Sequence, residues 1–107
     1  MSVINVRVAN LRKMGYTSLE EWLENPDHVY IGRVCRYVKG ANDSKWKNPY
    51  PLSRYSREES LKLYEKWVIK NLWDHLDQLE GKTLGCWCKP ESCHGDVLVK
   101  LLKQKAE

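Results

Sequence analysis

The sequence contains no phenylalanine. Its aromatic side chains are six tyrosines and five tryptophans instead. These combine a flat apolar body with a polar tip, so they suit surfaces that bind something. The chain also lacks a continuous run of like charge, which excludes a polyelectrolyte tail. No internal repeat or low-complexity segment is visible, which excludes a solenoid. No apolar run approaches the ~20 residues of a membrane span. The first twenty residues carry Arg7, Arg12 and Lys13 within their apolar pattern, unlike a secretory leader. The expectation is a cytoplasmic protein with no membrane partner and with reduced thiols.

What is present fits one small domain. A chain of 107 residues is enough for one core and too short for two, so residues 1–107 are read as a single unit. Hydrophobic residues make up 42%, which permits a core without disulfides or metal. Trp67 and Trp73 fall at positions that fill such a core. The formal charge of +4 and the pI of about 8.9 permit an anionic partner without demanding one. Lys39, Lys45, Lys47, Arg54 and Arg57 concentrate positive charge in the middle third; a solvated loop explains them equally well.

Along the chain, β-branched alternation in SVINVRVAN predicts a strand over 2–10. Thr17 and Glu20 have capping-box spacing, and Leu19, Trp22 and Leu23 form an apolar stripe before Pro26, so a helix is predicted at 18–25. HVYIGR predicts a strand over 28–33. Residues 34–55 have weak periodicity and read as a long loop, a feature that in compact domains is usually functional or mobile. Ser56 and Glu59 start a second capping box. Leu61, Tyr64, Trp67, Val68 and Leu72 recur at helical spacing, predicting a helix from 57 to about 79, bent near Asn71 and stopped by Gly81. TLGCWC predicts a strand over 83–88. A last helix is expected to begin near Ser92 and bury Val97, Leu98, Leu101 and Leu102. The order β-α-β-loop-α-β-α predicts an α/β fold: a short, mostly parallel three-stranded sheet flanked by helices.

In such sheets ligands bind beyond the carboxyl ends of the strands. Gly32–Arg33, Cys86–Cys88 and the start of the last helix would share that rim. Three of the four cysteines and one of the three histidines fall within residues 86–94. Cys86 and Cys88 are too close in sequence for easy bridging, so metal or chemistry is a better reading than disulfides. Cys93, His94 and Asp96 are candidate catalytic residues: a cysteine at a helix N-terminus has a lowered pKa, His94 could assist it, and Asp96 could orient His94. The helix N-terminus itself is a natural anion site. The alternative is zinc held by Cys86, Cys88, Cys93 and His94. Two points count against it. Consecutive helical residues point about 100° apart, so Cys93 and His94 diverge unless the helix starts later. The spacing also lacks the usual pair of Cys-x2-4-Cys motifs. The expectation is therefore no metal cofactor. Small thiols packed where strand meets helix are the third possibility.

SKWKNPY, residues 44–50, supplies a second set. Trp46 offers a stacking face, Asn48 an amide made rigid by Pro49, Tyr50 another aromatic, and Lys45 and Lys47 positive charge. Interleaved basic and aromatic residues suit a nucleotide or single strand. With Arg33 and Cys88, the candidate ligand-binding residues are Arg33, Lys45, Trp46, Asn48, Tyr50 and Cys88. A loop pinned to the core by Trp46 is the competing structural reading.

VYIGR, SKWKNPY and GKTLGCWCKPESCHGDVLVKLL, in that order, resemble the DUF4326 family, a domain of unknown function found in bacteria, phages and large viruses. The likeness covers residues 3–8 and 28–102. Members usually read Gly-Arg-Pro and then Ser-Lys-Trp-Gly-Asn-Pro-Phe. Here residues 34–43 look like an insertion after Arg33, Lys47 stands in place of the glycine, and the helix at 18–25 looks like an addition. The Cys…Cys-His pattern is also locally similar to the DUF488 family. The resemblance implies fold and site more than activity.

The leading expectation is a small α/β protein that binds a nucleotide-like or nucleic-acid anion at the last helix N-terminus. Modification of a nucleoside or nucleic acid is the enzymatic role this site would serve. Two alternatives stay open: a zinc-stabilised nucleic-acid-binding or adaptor module, and a non-catalytic viral protein that sequesters a signalling nucleotide.

Overall fold

A computed structural model of the chain describes residues 2–89 and 91–106. Three strands form one sheet: β1 (Ser2–Asn5), β2 (His28–Tyr30) and β3 (Thr83–Cys86). The order is β1-β3-β2 and both pairings are parallel. Leu84 aligns with Val3 on one side and Val29 on the other. The central strand is therefore the apolar TLGC segment, with Leu84, Gly85 and Cys86 fully buried, as expected for a strand covered on both faces.

The two faces carry separate cores. On one lie helices α3 (Arg57–Asn71) and α4 (His94–Ala106), with a 3-10 segment at Trp73–Leu79. Leu84, Cys86 and Ile31 pack there against Tyr64, Val68, Leu76 and Leu98. Trp67 and Trp73 pack against this cluster half-buried. On the other face, α1 (Val8–Lys13) and α2 (Leu19–Trp22) bring Leu11, Leu19 and Trp22 over Val6 and Tyr30. Gly85 faces this side with no room for a side chain. A Cβ there would lie 2.5 Å from Val6 and 2.9 Å from the Trp22 ring.

The α/β expectation holds, with a fully parallel sheet, but several boundaries move. The strand expected over 2–10 ends at Asn5, and a helix follows at Val8–Lys13. The Asn5 side chain makes the break. Its Nδ2 donates to Lys89 O at 2.6 Å and its Oδ1 accepts from Arg7 N at 2.8 Å, a turn that diverts the chain. The Val6 and Val8 signal for a strand is overridden. The α2 cap is Ser18, which accepts from Glu21 N, while Thr17 donates its hydroxyl to the Glu21 carboxylate. The cap thus lies one residue beyond Thr17. Ser56 caps α3 as expected, accepting from Glu59 N at 3.1 Å. That helix stops at Asn71 and continues as the 3-10 segment instead of bending. Strands β2 and β3 are shorter than expected, and α4 starts two residues later than Ser92. Between Tyr30 and Arg57 there is no helix or strand, as the long-loop reading required.

Candidate functional site

Beyond the carboxyl ends of β2 and β3 lies a cleft of about 290 Å³. Gly32 and Arg33 border it from β2, Trp87 and Cys88 from β3, and Ser92 and His94 from the start of α4. Asn48, Tyr50 and Leu52 come from the loop, and Arg57, Ser60 and Leu61 from one face of α3. Among the described residues the lining holds two guanidinium groups and no carboxylate. Neither arginine is paired with an acid there; the ion pairs all involve lysines. Arg33 instead donates from Nε and Nη2 to Asn48 O, at 3.2 and 2.7 Å. Arg57 donates from Nη1 to Ser92 O at 2.6 Å. Both guanidiniums are thus steered by carbonyls, which orient them without neutralising them.

The loop is held by Asn48. Its Nδ2 donates to Ser60 Oγ at 2.8 Å, its Oδ1 accepts from Tyr50 N at 2.9 Å, and Ser60 Oγ donates to Tyr50 O at 2.7 Å. The Asn48 amide is therefore a brace between loop and α3, although it lines the cleft. Trp87 is fixed by its indole N–H, which donates to Tyr30 Oη at 2.7 Å. Tyr30 in turn donates to Arg33 O.

The floor contains the cysteine cluster. The sulfurs of Cys86, Cys88 and Cys93 lie within 4.8 Å of one another, and Cys86 and Cys93 are 2.7 Å apart. Cys86 is at 0% exposure and Cys93 at 1%, whereas Cys88 is half-buried and lines the cleft. Hydrogen bonds from Cys86 and then Cys93 hold the Cys88 thiol far below its ordinary range. Hydrogen bonding to Cys86 and Cys88, with burial, pushes Cys93 up. Cys86 is raised chiefly by its bond to Cys88. The fourth cysteine, Cys35, packs against the opposite core.

His94 is 7% exposed. Its Nε2 lies 2.7 Å from Ile31 O. A carbonyl can only accept, so Nε2 donates to it and Nδ1 is the ring nitrogen left toward the cysteines. Nδ1 faces Cys93 Sγ at 3.6 Å. Tyr64 packs edge-on against the imidazole, and its own phenol is pushed up by burial and then by the neighbouring Cys93.

Several expectations about this rim need correction. Because α4 starts at His94, Cys93 precedes the helix and acts as its cap. Its sulfur accepts from Gly95 N at 3.4 Å, and Asp96 returns a carboxylate to Cys93 N at 3.1 Å. Cys93 and His94 thus both point inward, and the geometric objection to a shared metal site falls. Asp96 also pairs with Lys89 at 2.6 Å; it caps the helix and does not orient His94, whose partner is the Ile31 carbonyl. The capping bonds occupy the N–H groups of Cys93 and Gly95, so positive charge at the cleft comes from the arginines more than from the helix end. Cys93, expected as a reactive thiol, is sealed behind Cys88.

Trp46 is 4% exposed and sits in the core, leaving no ring face for a base. Lys45 reaches away to His75 and Gln78, and Lys47 pairs with Asp43. Of the expected ligand residues, Arg33, Asn48, Tyr50 and Cys88 do meet at the cleft. Trp87 and Arg57 were not foreseen there. Trp87 stood in plain view between two cysteines, and Arg57, Ser60 and Leu61 share a helix face at i, i+3, i+4 spacing.

Residues 16–104 match the family described as a domain of unknown function, DUF4326.

The chain belongs to the DUF4326 family.

The match begins at Tyr16, so α2 lies inside the family domain and is not an addition to it. An uncharacterized protein of Acanthamoeba polyphaga mimivirus is 40% identical over 87 residues, covering 70% of this chain. This chain spans 66% of that relative's length. An uncharacterized 12.4 kDa protein of Enterobacteria phage T4 is 33% identical over 89 residues, covering 69% of this chain and 82% of the relative. No solved structure matches the chain. Among the described residues of this DUF4326 chain, no helix is long and apolar enough to cross a membrane.

Proposed function

We propose that the cleft binds a nucleotide-like anionic ligand. The observation that carries this reading is the lining: Arg33 and Arg57 on opposite elements, without a carboxylate to neutralise them. Tyr50, Leu52, Leu61 and Trp87 give the same cleft apolar and aromatic walls. An anion joined to a flat ring system matches that division of charge and surface, since pockets of this kind bury an apolar body and orient it by a few polar groups. Arginine favours phosphate oxygens because its planar fork donates two parallel hydrogen bonds. Cys88 and His94 mark the end of the cleft that a reacting group would meet.

Titration of the purified protein with nucleoside monophosphates, followed by calorimetry, tests the reading. A hydrogen bond to a charged group contributes about 1.5–3 kcal/mol, so Arg57→Gln weakens binding by about tenfold or more. Lys62→Gln, on the solvent side of α3, leaves it unchanged. Affinity falls with added salt. Absence of binding by any nucleotide, or binding indifferent to both arginines, would refute the proposal.

A further inference from the structure

The four donor atoms at the cleft floor come from two rigid elements. Cys86 ends β3, Cys88 follows two residues later, Cys93 caps α4 and His94 opens that helix. The Cys-x-Cys-x4-Cys-His spacing does not by itself bring these atoms together. Strand and helix meet there because the parallel sheet packs against α4. We infer that Cys86, Cys88 and Cys93 bind one soft divalent cation of the zinc class, with His94 Nδ1 as the fourth ligand.

Three observations carry the inference. The first is distance. A zinc–thiolate bond of about 2.3 Å sets sulfurs sharing a tetrahedral ion about 3.8 Å apart. The cluster spans 2.7 Å at its closest pair and stays within 4.8 Å, so an ion needs the sulfurs only to even out their separations. The second is the histidine. Its Nε2–H is committed to the Ile31 carbonyl at 2.7 Å, which leaves Nδ1 as the ring nitrogen turned to Cys93, at 3.6 Å. A metal-binding imidazole is usually held in this way, with its other ring N–H on a carbonyl or carboxylate. The third is donor chemistry. Three sulfurs and one imidazole nitrogen select zinc over magnesium or calcium. The nearest carboxylate, Asp96, is committed to Lys89 and to Cys93 N. A dication would replace the thiol protons and neutralise most of the resulting charge. Cys88 and His94 also line the cleft, so the ion would lie directly behind the proposed anion site. The inference itself does not rest on that site.

The test uses the metal alone. Reduced full-length protein, freed of metal by a chelator, is titrated with Co²⁺ and then Zn²⁺ in the absence of nucleotide. The expected result is saturation at one equivalent per chain. A sulfur-to-cobalt charge-transfer band and the intense visible bands of a tetrahedral site should appear, and both should be lost when Zn²⁺ is added. Cys88→Ser, a change at a half-buried position, lowers Zn²⁺ affinity by at least about 100-fold, the upper end for loss of a residue that only hydrogen-bonds a ligand. Cys35→Ser leaves it unchanged. His94→Ala keeps the charge-transfer band and changes the visible bands. Absence of saturable binding by the wild-type chain would overturn the site, a measurement that needs no variant to fold. Affinity unaltered by Cys88→Ser in a variant with native circular dichroism would do the same, and visible bands unaltered by His94→Ala would remove the fourth ligand.

Discussion

Replacing Trp46 with alanine separates a core role from a ligand-stacking role. The indole is 4% exposed and belongs to the cluster beneath α3 and α4. Its backbone carbonyl accepts from the buried Tyr64 hydroxyl at 2.6 Å, so the residue ties the long loop to α3 from both ends. Deleting a buried tryptophan costs about 3–5 kcal/mol through lost transfer energy and the cavity left behind. Domains of this size have about 5–15 kcal/mol in total, so the variant retains only part of its margin. With about 4–8 °C lost per kcal/mol, its midpoint falls by roughly 12–40 °C. Trp46→Phe, which keeps most of the apolar volume, recovers a large part of the loss. Urea unfolding followed by far-UV circular dichroism gives the free energy without interference from the other four tryptophans. Nucleotide affinity per folded molecule should then change by less than the about 1–3 kcal/mol that loss of a stacked base contact costs. A stability loss under about 1 kcal/mol together with abolished nucleotide binding would refute this account and return Trp46 to the ligand.

Three further outcomes follow from particular contacts. Gly85→Ala forces a methyl group against Val6 and Trp22 and should cost about 1–3 kcal/mol by overpacking, measured by thermal denaturation. Asp96→Ala should cost about 1 kcal/mol through the lost cap of α4, while leaving nucleotide binding in place; loss of binding at unchanged stability would instead give Asp96 a role at the ligand. Iodoacetamide on the metal-free native protein should label Cys88 and spare Cys86 and Cys93, which the sheet and α4 bury. Mass mapping that finds Cys93 labelled first would contradict the buried arrangement.

The residues that act locally were legible in the sequence. Ser56 and Glu59 announced the start of α3 because a cap needs only neighbours within one turn. The apolar TLGC segment announced a buried strand, and the strand–helix alternation announced a parallel sheet, since parallel strands need crossovers. The crowding of Cys86, Cys88, Cys93 and His94 pointed to the rim where Cys88 and His94 line the cleft. What failed was whatever depended on partners distant in the chain. Val6 and Val8 carry strand propensity, yet Asn5 reaches Lys89, 84 residues away, and turns the chain into α1. Trp46 carries the pattern of a stacking residue, yet burial is decided by where the loop meets α3. Arg57 read as one charge among several until the fold brought it into the lining of the same cleft as Arg33. The sequence alone thus determined which segments form elements and which residue types collect near the last helix. Only the tertiary structure decided which side of each residue faces the core or the cleft, because a side chain's burial is set by packing against segments that the local sequence does not contain.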